Sequence, residues 1–224
     1  MNQPIIHTYE EAVQVINELG LLPLAPLFDE YPALNRITLE ENWHTNSELD
    51  PWKWRTQFAA EGVAAYGKFM KKKAVFISRG LLPYVKIVLG SQDSVQNRYN
   101  KGYMSREALK LFTIISEEEG IDTRVLRAKA DMRDKEQKKS FDQALLELQG
   151  SMDIVVSGTK EKQDVNGEKN GWSSTSYETM KTWMTKNKIE ELDIDKEEAR
   201  KELIRHFSEI SSEPALKKIS KVLG

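Results

Sequence analysis

The sequence predicts an α+β protein that is mostly helical, in which a winged helix (a helix-turn-helix followed by a β-hairpin wing) follows an N-terminal helical region. Three observations predict this fold class. Two closely spaced helical segments precede a short β-branched strand at residues 154–156. A polar stretch at 160–170, with glycines around it, has the composition of a hairpin tip. Residues 172–177 are then able to pair back as a second strand.

The N-terminal region is predicted to cover residues 1–102, with a basic segment at 66–102. Thr8-Tyr9-Glu10-Glu11 is a capping box for a first helix, which Gly20 ends. Asp50-Pro51 opens a second helix, with the aspartate as cap and the proline at the first helical position. The remaining segments are an irregular buried connection, a strand, a helix and a polar linker, at residues 21–32, 74–78, 81–89 and 92–103.

The winged-helix domain is predicted at residues 103–185. Its first helix is expected at 105–118, where Leu109, Phe112 and Ile115 recur at helical spacing and form an apolar side. The capping-box pattern Asp134-Lys135-Glu136-Gln137 places the start of the recognition helix near residue 134. The other predicted helices are 123–130 with Asp122 as its cap, 176–185, and two in a C-terminal helical extension at 186–224, which start at Asp195 and Pro214.

Composition limits the class of protein. The chain has 224 residues, of which 39% are hydrophobic and 30% charged, as is ordinary for a globular protein. No apolar run reaches the roughly 18 residues of a membrane span, and the N-terminus lacks the layout of a signal peptide. We therefore expect a cytoplasmic protein with no membrane partner. The absence of cysteine excludes disulfides, thiolate catalysis and cysteine-ligated zinc.

The net charge of -2 conceals an uneven distribution. Residues 1–65 carry 3 basic and 10 acidic side chains, whereas residues 66–110 carry 10 basic and 2 acidic ones. A basic segment inside an acidic protein is a possible electrostatic footprint for a polyanion. The alternative is that the acidic and basic segments pair with each other in the folded protein.

The expected DNA contacts are basic and amide side chains on the basic segment, around the recognition helix and on the wing. Lysine and arginine neutralise phosphates, and glutamine can read adenine edges. For the lysines before residue 74 the alternative is a solvated turn before a strand. Carboxylates that share the recognition helix keep a protein-interaction winged helix open as well. The candidates are Lys71, Lys72, Lys73, Arg133, Lys135, Gln137, Lys138, Lys139, Gln143, Lys160 and Lys162.

Catalytic and metal-binding patterns are sparse. The chain has no Gly-rich phosphate loop, no G-x-S-x-G elbow and no His-rich metal motif. His44, Glu48 and Asp50 lack a repeated ligand spacing, and Asp50 already caps a helix, so we expect no metal. We expect no cofactor either.

Several segments resemble a known family. They are AYGKFMKKKAVFISRGLLPY, FDQALLELQGSMDIVVSG with the following GWSSTSY, and EEARKELIRHF. The chain is similar in these segments to the AlkZ/YcaQ family of bacterial DNA glycosylases, which excise alkylated or crosslinked bases with tandem winged helices, and more narrowly to its short AlkZ-related branch. The resemblance implies a winged-helix protein associated with double-stranded DNA.

The chain departs from the glycosylases at their catalytic motif. Those enzymes carry Gln-Φ-Gln or Gln-Φ-Asp after a glycine near the N-terminus, where this chain has Pro23 and Ala25. Neither side chain can orient a water or stabilise a developing cation. We therefore predict no catalytic residue and a non-catalytic DNA-binding protein, an accessory repair factor or a regulator. The alternative is a divergent glycosylase whose active groups lie elsewhere, for example Glu41, His44 or Asp50.

Overall fold

The computed structural model describes residues 5–161 and 173–224. In these residues six strands form one antiparallel sheet in the order β1-β3-β2-β5-β6-β4. The strands are β1 (Leu21–Pro23), β2 (Ala64–Met70), β3 (Lys73–Ser78), β4 (Ile121–Asp122), β5 (Ile154–Lys160) and β6 (Ser174–Thr179).

The helices make up most of the remaining regular structure, and about half of the protein is helical. The prediction of a mostly helical α+β protein is therefore confirmed. Within the described ranges the α-helices are α1 (Tyr9–Leu19), α2 (Pro51–Ala60), α3 (Leu82–Leu89), α4 (Val95–Asn100), α5 (Arg106–Glu117), α6 (Thr123–Lys129), α7 (Lys138–Gly150), α8 (Met180–Lys186), α9 (Lys196–Ile210) and α10 (Glu213–Val222).

Both faces of the sheet are covered by helices. Successive residues of a strand point to opposite faces, so Phe76 packs in one apolar cluster and Ile77 in the other. The first cluster includes buried residues of α1, α2, α5, α6 and α7, and the second includes those of α3, α8, α9 and α10. Because both faces are buried, the central strands read as nearly continuous apolar runs such as Ala74–Ile77 rather than as alternating ones.

The helix caps predicted at Thr8, Asp122 and Asp195 are formed where the sequence placed them. Thr8 and Glu11 make a reciprocal capping box at α1, and Gly20 ends that helix in the left-handed conformation at φ 70°. Asp122 accepts hydrogen bonds from the first backbone N–H groups of α6, and Asp195 does so for α9. Each cap satisfies donors that a helix start would otherwise leave without a partner.

The start of the recognition helix was predicted four residues too early. Residues 134–137 form a turn instead, in which Gln137 N–H donates to the Asp134 carbonyl at 3.2 Å, and α7 starts at Lys138 without a side-chain cap. The guanidinium of Arg127 donates to the carbonyls of Met132, Arg133 and Asp134. These three bonds hold the segment before α7 in a non-helical conformation, which the capping-box pattern could not reveal.

Other predicted boundaries also needed correction. Residues 176–179 belong to β6, paired with β4 and β5, so the closing helix starts only at Met180. The polar segment 92–103 contains α4, capped by Ser94, and is more than a linker. The irregular connection at 21–32 begins with β1, where Pro23 is tolerated because the strand lies at the edge of the sheet.

The apolar side predicted for α5 is partly right. Ile115 is fully buried, but Leu109 and Phe112 are only half-buried, and Ala108 and Leu111 complete the buried face. The predicted division at residues 102 and 185 stays a prediction. Contacts cross the division at residue 102, among them the pairing of Tyr66 in β2 with Val156 in β5 and the hydrogen bond that the Trp183 indole donates to the Ala59 carbonyl at 2.9 Å.

Candidate nucleic-acid interface

The segment before α7 and its first turns present exposed polar side chains to solvent. Arg133, Lys135 and Lys139 are exposed and make no ion pair with any residue that the structure describes. Lys138 differs, because its ammonium pairs with the Asp142 carboxylate at 2.6 Å one turn along the helix. Gln137 and Gln143 are exposed as well. Three unpaired cations and two amides therefore share this end of α7.

Carboxylates lie among these cations. Asp134, Glu136 and Asp142 are all exposed, and Asp142 neutralises Lys138. The potential of the surface is thus only weakly positive, and a polyanion would bind it with modest affinity and strong salt dependence.

The β5–β6 hairpin contributes the one predicted wing residue that the structure describes. Lys160 is exposed at the end of β5, and its backbone carbonyl accepts a hydrogen bond from Arg124 of α6 at 3.2 Å. Lys162, which was also predicted to contact DNA, lies outside the described residues.

The lysines at 71–73 occupy a separate place. Lys71 and Lys72 form the two-residue turn of the β2–β3 hairpin, with φ values of 48° and 60°, and Lys73 begins β3. All three are exposed, so the alternative interpretation, a solvated turn before a strand, describes their position. Lys71 also lies over the Phe28 ring at 5.3 Å. Backbone strain of this kind in non-glycine residues is uncommon.

Lys71 and Lys160 lie far apart because β2 and β5 run in opposite directions. From the pair Tyr66–Val156, Lys71 lies five residues away in one direction and Lys160 four residues away in the other. At about 3.3 Å per residue, these lysines are roughly 30 Å apart. A duplex would have to lie along the sheet for about nine base pairs to reach both. The sequence grouped these residues together, and the structure separates them.

Within the described residues, no ion pair joins the acidic segment 1–65 to the basic segment 66–110. Three ion pairs of residues 66–110 occur in the described protein, and their acidic partners are Asp93, Asp153 and Glu191, all outside residues 1–65.

A cleft of about 480 Å³ lies beside α7, between it, α2 and the centre of the sheet. Residues of the two predicted domains line it together, among them Arg55, Tyr66, Lys68, Asp142 and Tyr177. Sequence reasoning noticed Lys68 but missed Arg55 and both tyrosines. The pairing of residues 66 and 156, which creates the cleft, leaves no local signal in the sequence.

Two hydrogen bonds organise the wall of this cleft. Gln149, buried near the end of α7, accepts from the Lys68 backbone N–H at 3.0 Å and donates to the Leu145 carbonyl at 3.0 Å. Burial raises the pKa of Tyr177 to about 12, with Thr123 as a hydrogen-bond partner that acts in the opposite direction. The phenol therefore stays neutral at physiological pH and keeps its proton for donation.

One of the three residues named for an alternative active site, Asp50, has a structural role. Asp50 is 1% exposed, and its carboxylate accepts from the backbone N–H groups of His44, Asn46 and Trp52 at 2.9–3.0 Å. His44 lies 4.9 Å from the Trp52 ring between centroids, and Glu41 is exposed. Within the described residues, no group of three or more histidines and carboxylates is arranged to hold a metal ion.

Comparisons with known proteins give a family. A family model described as AlkZ related matches residues 6–224. No curated protein and no solved structure matches the chain. None of the helices in the described ranges has the length and apolarity that crossing a membrane requires.

Proposed function

The chain belongs to the AlkZ-related family, and on this basis we propose that it is a non-catalytic winged-helix protein that binds double-stranded DNA, as an accessory repair factor or a regulator. The family relation links it to DNA glycosylases. The order of elements in residues 106–179 supports a winged helix, since α5, β4, α6, α7, β5 and β6 follow one another and β4 pairs with β6 at the sheet edge.

One observation carries the proposal. The segment before α7 and the first turn of this helix present Arg133, Lys135 and Lys139 to solvent without carboxylate partners among the described residues. A helix that enters the major groove makes its base contacts through such an N-terminal end. Lys160, at the end of β5, adds a cation that can hold the adjacent phosphate backbone. Phosphate contacts of this kind position a protein, and Gln137 and Gln143 are the side chains able to read bases.

The proposal of a non-catalytic role rests on the positions of the family's catalytic motif. Pro23 is buried in β1 and pairs with Val75, and Ala25 is an exposed methyl side chain. Neither residue offers a side-chain donor or acceptor for a water molecule. The carboxylate of Asp50 is fully engaged by three backbone N–H groups.

The proposal is tested by reversing charge on the exposed end of α7. We expect Lys135→Glu/Lys138→Glu/Lys139→Glu to abolish binding to a fluorescein-labelled duplex, measured by fluorescence anisotropy at moderate salt. The salt dependence of the wild-type protein should show a slope of about -0.9 per neutralised phosphate.

A matched control uses three exposed lysines on α9 and α10, changed in Lys196→Glu/Lys201→Glu/Lys221→Glu. This variant has the same net charge as the test variant and should keep most of the affinity. Equal affinities of the wild-type protein and the α7 variant would show that this face does not bind DNA. The protein-interaction alternative would then be favoured by the carboxylates on α7.

The family relation also favours one alternative, a divergent glycosylase that acts on alkylated or crosslinked bases. Incubation with alkylated duplex, followed by cleavage of abasic sites in alkali, separates the two functions. Our proposal expects duplex binding without strand breaks. Breaks that accumulate with time and enzyme concentration would establish the alternative.

A further inference from the structure

We propose that the cleft beside α7 binds a nucleoside phosphate, with Arg55 and Lys68 holding the phosphate. If the ligand is a free nucleotide, the proposal goes beyond the proposed function. If the ligand is part of a DNA strand, the proposal rests on that function. The site is distinct from the family's catalytic motif. Ala74 lines the cleft, whereas Val75, the partner of Pro23, packs in the apolar cluster on the other face of the sheet.

The Arg55 guanidinium has no anionic partner among the described residues. Its guanidinium lies 3.7 Å from the centroid of the Trp52 ring, and its Nε is buried without any hydrogen-bond partner. No carboxylate in the described protein forms an ion pair with it. A buried donor without a partner loses its hydration and gains nothing in return. An anion in the cleft would supply the missing acceptor, and arginine binds phosphate oxygens well because its donors lie in one plane.

Lys68 provides the second positive charge. Its side chain is exposed and unpaired within residues 5–161 and 173–224, while its backbone is fixed by the hydrogen bond to Gln149. The single carboxylate of the lining, Asp142, is neutralised from outside by Lys138. The lining is therefore net positive, which suits an anionic ligand.

The rest of the lining favours a ligand with a ring over a simple ion. Leu145, Leu146 and Val156 form an apolar wall, and Tyr66, stacked on Phe76 at 4.8 Å between centroids, adds an aromatic one. A volume of about 480 Å³ falls in the roughly 300–1,000 Å³ range of small-molecule sites. Inorganic phosphate alone would leave the apolar wall uncovered. A nucleotide would cover it and still place its phosphate on the cations.

Isothermal titration calorimetry with dAMP tests the site, with inorganic phosphate and deoxyadenosine as partial ligands. We expect saturable one-to-one binding of dAMP that is tighter than binding of either part. Arg55→Met and Lys68→Gln should each weaken it about tenfold or more, as loss of a charge-assisted hydrogen bond does. Lys221→Gln, an exposed lysine on α10, is the matched control and should change nothing. Because Lys68 is exposed, its variant keeps the fold, which circular dichroism verifies.

A DNA arm identifies the source of the ligand. If dAMP displaces the labelled duplex and both cleft variants weaken duplex binding, the natural ligand is a DNA strand. If dAMP binds without displacing the duplex, the ligand is a free nucleotide. Binding of dAMP by a protein that binds no duplex would leave the cleft standing and remove the proposed function. The cleft assignment is overturned if dAMP shows no saturable binding at millimolar concentration, or if both variants bind it like the wild-type protein.

Discussion

Replacing Asp50 by alanine should destabilise the whole protein, because one buried carboxylate organises the loop before α2. Its oxygens accept from the backbone N–H groups of His44, Asn46 and Trp52. His44 and Asn46 adopt φ values of 63° and 60°, which non-glycine residues rarely do without such support. The variant removes all three bonds at once.

The magnitude follows from the environment of each donor. Loss of the helix cap, in which Asp50 accepts from the Trp52 backbone N–H, costs about 1 kcal/mol, and up to about 2 kcal/mol in the strongest cases. The bonds to His44 and Asn46 are part-buried, as is the bond to Trp52, so water replaces part of what is lost and we assign about 1 kcal/mol to each. The expected loss is therefore about 3 kcal/mol in the free energy of unfolding. For a protein of this size the midpoint temperature should fall by about 6–12 °C.

Urea unfolding, followed by circular dichroism and by tryptophan fluorescence, measures this loss. Asp50→Asn is the graded control, because it keeps one acceptor oxygen but places an amide donor against a backbone N–H. It should lose about half as much. A loss below about 1 kcal/mol in Asp50→Ala would refute the structural role of the carboxylate. It would also restore Asp50 as a candidate for catalysis.

Three further variants probe other features. Gly20→Ala should cost about 3 kcal/mol in urea unfolding, because φ is 70° and the added Cβ would overlap the Leu81 side chain; stability equal to wild type would contradict the strain. Lys71→Asn/Lys72→Gly should raise the midpoint temperature of unfolding, because asparagine and glycine tolerate the two positive φ values. Unchanged duplex affinity in that variant would exclude the β2–β3 hairpin from the interface. Arg98→Met should lose about 3–5 kcal/mol at pH 7, because it leaves Asp153 buried and unpaired. Burial already raises the pKa of Asp153 despite Arg98, and this pKa rises further in the variant, so the deficit should shrink as the pH falls and the carboxylate is neutralised; a deficit independent of pH would contradict this.

Local chemistry made parts of the fold predictable. Thr8, Asp122 and Asp195 each cap a helix through atoms two or three residues away, so the sequence places these helix starts correctly. The start of α7 was missed because Arg127 reaches forward to three carbonyls of the turn. No spacing rule encodes a side chain that holds the following segment out of a helix.

The candidate site was predictable only in part. The exposed lysines around α7 could be found from the sequence because they are adjacent in the chain. The distance between Lys71 and Lys160 could not, since it depends on the antiparallel pairing of Tyr66 with Val156. The cleft needed the same pairing, and Arg55 reaches it from α2, of which the sequence predicted only the start and the cap.

The pairing between β2 and β5 also determines what happens if the polypeptide is severed near residue 102. In each fragment one of these strands would then be an exposed edge strand, with backbone donors and acceptors facing water. Exposed edge strands pair with strands of other molecules, so the separate fragments would be prone to self-association. The same property makes each fragment the natural complement of the other, so co-expressed fragments should reassemble into the intact sheet and could report on proximity when fused to two other proteins.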